Sequence, residues 1–165
     1  MSKLNDSLRY YLLVLLVGLS AASFAIAFYI LYLFLSSLTQ QALQYSIITI
    51  IPVAFISITL PFMLVKYFAK TKTTGSGTHT VIEAYHLSNG ELAIRDTIVK
   101  PTAAMLTIGL GGSAGPEGPS LFAGGGVASA ISKHFKIQAD LRRKLFVAGA
   151  AAGLAATFRT PLTAI

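Results

Sequence analysis

Hydrophobic positions dominate the first part of the chain, where no charged residue occurs between residue 10 and residue 65. Polar residues interrupt this run at positions 36–41, which leaves two apolar segments at residues 10–35 and about 46–69. A helix needs about 20 apolar residues to cross about 30 Å of hydrocarbon. The pattern therefore predicts two membrane-spanning helices joined by a turn at residues 36–45.

Basic residues flank this pair of helices on both sides: Lys3, Arg9, Lys66, Lys70 and Lys72. The positive-inside rule then places both flanks, and so the N-terminus, in the cytoplasm and the uncharged turn outside. The first apolar run greatly exceeds the 7 to 15 apolar residues of a signal peptide, so we expect it to be retained. Pro52 and Pro61 inside the second segment predict a bent helix.

Short apolar pieces broken by glycine follow residue 72, and eight of the fourteen glycines lie between residues 109 and 126. We expect a short helix at about 78–87, a cytoplasmic connector at 88–100 with Arg95 and Lys100, and half-length helices at about 101–110 and 117–133. A small-residue helix at about 140–156 follows, and Thr160-Pro161 predicts the start of another helix over 160–165. In the helix at about 140–156, small residues share one face, which permits close helix contact in lipid: Gly149, Ala152, Gly153 and Ala156.

Composition supports this interpretation and excludes several other classes. Hydrophobic residues make up 54% of the chain and charged residues 12%, against roughly 25% charged in an average soluble domain. The net charge of +7 is not gathered in a dense run, so we expect no nucleic-acid partner. The chain has no cysteine, and His79, His86 and His134 share no metal-binding spacing, so we predict no metal site and no cofactor.

The two glycine-rich breaks carry the candidate chemistry. A helix that starts inside a membrane presents unpaired N–H groups and a positive dipole end, which attract an anion. Gly75-Ser76-Gly77 and Gly115-Pro116-Glu117-Gly118-Pro119 each precede such a start, and Ser76 adds a hydroxyl donor. Glu117 is a tethered carboxylate that would compete with a free anion for the same helix end until it is protonated.

These residues, taken in order, resemble the N-terminal part of the CLC family of chloride channels and chloride/proton antiporters. The first break is similar to the start of the family's Gly-Ser-Gly-Ile-Pro motif, and the second to its Gly-(Lys/Arg)-Glu-Gly-Pro motif. Residues 149–156, followed by Pro161-Leu162, resemble the helix that comes next in the family. The resemblance implies an all-α polytopic membrane fold, the N-terminal half of an inverted repeat, with residues 1–165 as part of one transmembrane domain.

The resemblance also implies roles for particular residues. Ser76 corresponds to the serine that holds the central anion, and Glu117 to the gating and proton-accepting glutamate. The anion-binding backbone then comprises Gly75, Gly77, Gly115, Pro116, Gly118 and Pro119. Chloride, and protons in an exchanger, are the implied transported ions, and a homodimer in the cell membrane is the implied assembly when the protein is complete.

Three departures from the family pattern accompany the match. Thr78-His79 replace Ile-Pro, Pro116 replaces the usual basic residue, and Arg159 stands where many members have Asn. The resemblance further implies that the inner proton glutamate follows shortly after Ile165. It places the coordinating tyrosine in a C-terminal half.

Two alternatives remain at this point. Residues 111–115 match the Gly-x-Ser-x-Gly pattern of serine hydrolases around Ser113, although the sequence predicts no soluble strand and helix around it. A truncated transporter half could instead serve as a membrane interaction or regulatory protein. We favour a non-enzymatic anion transporter over both.

Overall fold

The computed structural model describes residues 2–72 and 77–160, and over these residues all regular secondary structure is helical. Six α-helices and a 3-10 turn at Ile47–Thr49 follow one another: α1 Ser2–Tyr45, α2 Ile50–Phe68, α3 Thr78–Leu87, α4 Ile94–Gly109, α5 Glu117–His134 and α6 Ala139–Phe158. The predicted all-α class is confirmed. The expected further helix over 160–165 lies outside the described residues, apart from Thr160.

Helix α1 continues through residues 36–41, where the sequence predicted a turn, so that prediction is wrong. The polar side chains there fit a helix because their hydroxyls donate to main-chain carbonyls one turn earlier, as Ser37 does to Phe34. The Thr39 hydroxyl lies 3.0 Å from the carbonyls of both Leu35 and Gly109, the last residue of α4. The turn instead falls at residues 46–49, where the Thr49 hydroxyl caps the Ser46 carbonyl at 2.6 Å.

Among the residues that the structure describes, two helices are long and apolar enough to cross a membrane, namely Leu8–Tyr45 and Ile50–Phe68. In their most apolar stretches, 22% and 17% of the residues are buried, so most of their apolar surface faces outward. At about 1.5 Å per residue the first helix is about 57 Å long, nearly twice the hydrocarbon thickness. It must tilt strongly or project beyond the bilayer.

The prolines of α2 have different consequences. Pro52 occupies the third position of the helix, where a missing N–H costs no intrahelical hydrogen bond. Pro61 lies in the helix interior and is buried, so the carbonyl of Ser57 lacks its usual partner. The predicted bend of α2 stays a prediction, and Pro61 is the proline that removes a hydrogen bond from inside the helix.

Helix α4 begins at Ile94, seven residues before the predicted start at Pro101. Residues 94–100, expected in the connector, therefore form the first two turns of the helix. Pro101 is fully buried inside α4. The early start is explained by Asp96, a first-turn acid favoured at a positive helix end and fixed there by long-range hydrogen bonds.

Helices α5 and α6 form an antiparallel hairpin at the centre of the fold, and α5 also contacts α1, α3 and α4. A Cβ added at Gly149 would lie 2.6 Å from the Ala128 Cβ and 2.6 Å from the Gly124 carbonyl oxygen. At Gly153 it would overlap the Ser120 carbonyl oxygen. The predicted close contact through the small-residue face is confirmed for these two glycines.

Candidate anion site

The first glycine-rich segment reaches the core at Gly77, the residue before α3. Gly77 has φ +86°, a left-handed conformation that glycine adopts without steric cost. A Cβ at this position would lie 3.1 Å from the Cβ of Phe122 on α5. Both the backbone angle and the close approach therefore require glycine here.

Ser76 and Gly75 lie outside the described residues. Their predicted roles in holding an anion stay predictions, and Gly77 is the member of this segment that the structure locates. Its carbonyl accepts the Val81 N–H at 3.0 Å, which starts α3 at Thr78. Among the described residues, no side-chain hydrogen bond caps this end of α3.

The second segment forms the start of α5 in an arrangement set by its two prolines. Pro116 is the N-cap residue, Glu117 the first helical residue and Pro119 the third. Neither proline has an N–H, and the Ser120 N–H is bonded to the Pro116 carbonyl at 3.0 Å. Among the described residues, the N–H groups of Glu117 and Gly118 have no acceptor, so they are the free main-chain donors of this helix end.

The Glu117 side chain is exposed and folds back over the backbone of Gly115. A Cβ at position 115 would collide with the Glu117 carboxylate, so a larger residue there would force this flexible side chain to move. The carboxylate thus lies beside the turn that leads into α5. This is the place where an anion attracted to the helix end would also lie.

The two segments meet through Phe122. Gly77 contacts this residue, which follows Glu117 by five positions, or about 7.5 Å along the helix axis. The ring also belongs to a buried cluster with Val81 and Ala84 of α3. The amino ends of α3 and α5 are therefore neighbours, as the anion-site hypothesis requires.

The structure adds Lys100 to this neighbourhood, where the sequence had placed it in the cytoplasmic connector. Lys100 lies on α4, half-buried, with its Nζ 5.7 Å from the centre of the Phe122 ring. A cation at this distance from an aromatic face is attracted to it. The sequence signal that could have identified Lys100 was a single lysine directly before a proline at the start of an apolar segment.

Asp96 is a second residue that sequence reasoning missed. Its side chain is buried, with 3% exposed, and its carboxylate accepts the Lys70 N–H at 2.5 Å and the Thr71 N–H at 3.1 Å. The Thr71 hydroxyl donates to the same carboxylate. Asp96 therefore ties the chain that leaves α2, towards the first glycine segment, to the start of α4.

The structure also locates the serine of the hydrolase-like pattern. Ser113 of the hydrolase-like pattern is exposed between α4 and α5. Within the described ranges, no three His, Asp or Glu side chains lie close enough together to hold a metal ion.

These features describe an all-α protein with two apolar helices of membrane-spanning length and two neighbouring helix amino ends. A family model described as voltage gated chloride channel matches residues 53–165. The chain belongs to this family of integral membrane proteins.

Individual relatives agree with the family assignment. The H(+)/Cl(-) exchange transporter ClcA of Vibrio campbellii is 31% identical over 158 residues, which cover 91% of this chain and 33% of that protein. The chloride/fluoride channel protein of Pseudomonas syringae pv. tomato is 27% identical over 116 residues, covering 70% and 25%. ClcA of Vibrio cholerae is 44% identical over 68 residues, covering 41% and 14%. The chain thus spans a third or less of the length of these relatives.

Proposed function

We propose that the protein containing this chain transports chloride across a membrane, with Glu117 as its proton-responsive gate. The observation that carries the proposal is the position of Glu117 at the first residue of α5, beside the only two unpaired N–H groups of that described helix end. The family match and the name of the exchange transporter ClcA support the same substrate.

The mechanism follows from competition for one positive site. The N–H groups of Glu117 and Gly118 and the helix dipole stabilise negative charge at the start of α5. An ionised Glu117 occupies this position itself, and a protonated one leaves it to chloride. Ser76 and the backbone of Gly75 and Gly77 would supply donors for a second anion position near α3.

Transport rather than catalysis is favoured, because the family is one of ion-transport proteins and Ser113 lies in an exposed turn. ClcA is named as an exchange transporter, whereas the Pseudomonas relative is named as a channel protein. The proposal therefore includes both chloride/proton exchange and channel conduction. We further propose location in the cell membrane, a cytoplasmic N-terminus set by Lys3 and Arg9, and a homodimer. No cofactor is needed by this mechanism.

The test is chloride flux in vesicles that contain the protein expressed from its complete reading frame. Glu117→Gln has a neutral side chain at every pH, so its flux should be high and nearly independent of external pH. The matched control is Glu91→Gln, which changes an exposed carboxylate paired with Arg142. A pH dependence in Glu117→Gln equal to that of the parent would contradict the gating role.

A further inference from the structure

A hydroxyl pair joins the first turn of α5 to the last turn of α6. The Ser120 O–H donates to the Pro116 carbonyl at 2.7 Å, and the Thr157 hydroxyl lies 2.7 Å from Ser120 Oγ. Thr157 Oγ1 also lies 3.2 Å from the Gly153 carbonyl. Since the Ser120 proton is directed to Pro116, the single Thr157 proton is available to Ser120 Oγ.

The hydroxyl pair lies in the packed interface between α5 and α6. Ser120 is 1% exposed, and Thr157 is half-buried. The α6 backbone reaches α5 directly here, because a Cβ at Gly153 would overlap the Ser120 carbonyl oxygen. Hydrogen bonds in such a buried chain strengthen one another, and a missing member leaves a buried group unsatisfied.

The chain of hydrogen bonds ends on Pro116, the residue before Glu117. The Pro116 carbonyl accepts both the N–H and the O–H of Ser120. Its peptide unit includes the Glu117 N–H, one of the two donors offered to an anion. The orientation of that donor and of the Glu117 side chain therefore depends on how firmly Ser120 is held.

We infer that Ser120 and Thr157 are positioning residues that hold the first turn of α5 against α6 and thereby set how strongly the Glu117 carboxylate competes with chloride. This inference rests on the proposed gating role of Glu117. Without the Thr157 hydroxyl the turn is held less firmly, the carboxylate competes less well, and flux at neutral pH rises towards the flux at acidic pH.

Other ionisable groups on the helices packed against α5 contribute to any pH profile. Helix α3 carries His79, Glu83 and His86, and helix α4 carries Arg95, Asp96 and Lys100. On α6 or at its end lie Asp140, Arg142, Arg143, Lys144 and Arg159. Helix α1 carries no acidic, basic or histidine side chain between residues 10 and 45. Every variant below keeps all of these groups. A difference from the parent is therefore not caused by their removal.

The test compares the ratio of acidic to neutral chloride flux in the complete protein. Thr157→Val preserves volume and removes the donor, so the ratio should fall by about 2- to 10-fold, the factor that one buried hydrogen bond corresponds to. Thr157→Ser keeps the hydroxyl and should restore the parent ratio. The matched control is Thr102→Val, which removes a hydroxyl bonded within its own helix at 2.6 Å and should leave the ratio unchanged.

Parallel variants separate this inference from the proposed function. Glu117→Gln alone must abolish the pH dependence for the gating role to stand, and Thr157→Val added to it should then change nothing further. A parent-like ratio in Thr157→Val, beside a pH-independent Glu117→Gln, would overturn the positioning role while leaving the gate intact. Equal effects of Thr157→Val and Thr157→Ser would also overturn it, since packing would then be the cause.

A second measurement covers the case in which Thr157→Val does not assemble. Ser120→Ala removes the hydroxyl that accepts the Thr157 hydrogen bond, so it should lower the ratio of acidic to neutral flux by the same factor of about 2 to 10. Hydrogen–deuterium exchange should accelerate at the amide of residue 120, the hydrogen-bonded main-chain N–H of the first turn of α5, relative to the amides of the last turn of α5. Unchanged exchange in Ser120→Ala would contradict the inference.

Discussion

At the scale of single residues, Ser76 and Ser113 offer a direct comparison because both follow a glycine and belong to glycine-rich segments. Ser76→Ala should lower the preference for chloride over nitrate, because the hydroxyl would donate directly to the anion. Ser113→Ala is the matched control and should leave both flux and preference unchanged. Relative permeabilities measured in vesicles decide the matter. If Ser113→Ala lost chloride flux and Ser76→Ala did not, the result would favour the hydrolase alternative.

Asp96 carries a stability prediction at the same scale. Asp96→Ala leaves the N–H groups of Lys70 and Thr71 and the Thr71 hydroxyl without their acceptor. Hydrogen bonds to a buried charged group are worth about 1.5 to 3 kcal/mol, so we expect a loss of about 2 to 4 kcal/mol in unfolding free energy.

The matched control for this change is Asp140→Ala. Asp140 is also a first-turn acid but is exposed, and its removal should cost at most about 1 kcal/mol. Thermal denaturation of the purified protein in detergent measures both variants. Equal midpoints would show that the Asp96 contacts contribute no net stability.

At the scale of elements, the packing of α5 on α6 depends on glycine. Gly149→Ala places a Cβ 2.6 Å from both Ala128 and the Gly124 carbonyl, so the helices must separate at a cost of about 1 to 3 kcal/mol. Gly18→Ala is the matched control, because no atom lies within 4 Å of the added Cβ and a helical alanine is favoured by about 0.5 to 1 kcal/mol. Denaturation midpoints should therefore move in opposite directions.

Packing in the same hairpin explains why α5 stays helical although it contains three consecutive glycines. An isolated helix with Gly124, Gly125 and Gly126 in succession would be weak, since each glycine disfavours the helical state. All three are buried, and close backbone contact with neighbouring helices offsets this cost. An element that looks poor by propensity is thus stabilised by its partners.

At the scale of the whole molecule, residues 1–165 cover a third or less of the relatives, while α1 and α2 expose most of their apolar surface. We expect the 165-residue chain by itself not to transport chloride, because two helix ends offset too little of the dehydration cost of an anion. Vesicles with the short chain should match protein-free vesicles in chloride efflux, and the complete protein should exceed both. Robust efflux that depends on Glu117 from the short chain would contradict this expectation.

The sequence by itself determined the elements whose signals are local. The glycines before Thr78 and the Gly-Pro residues before Glu117 were sufficient to predict the starts of α3 and α5, and glycine spacing predicted the close face of α6. The absence of charge between residues 10 and 65 was sufficient to predict two apolar helices. The break at residues 36–41 was predicted wrongly, because hydroxyl side chains are as compatible with a helix as with a turn once carbonyls accept their protons.

Only the tertiary structure decided which residues meet at the candidate site. Asp96 accepts hydrogen bonds from residues 25 and 26 positions away, and Thr157 lies 37 positions from Ser120. Periodicity and capping patterns extend over a few residues, so they carry no information about such pairs. The contacts form because packing of α2 on α4 and of α6 on α5 buries polar groups that must then find partners within the protein, and the fold alone specifies which partners are near.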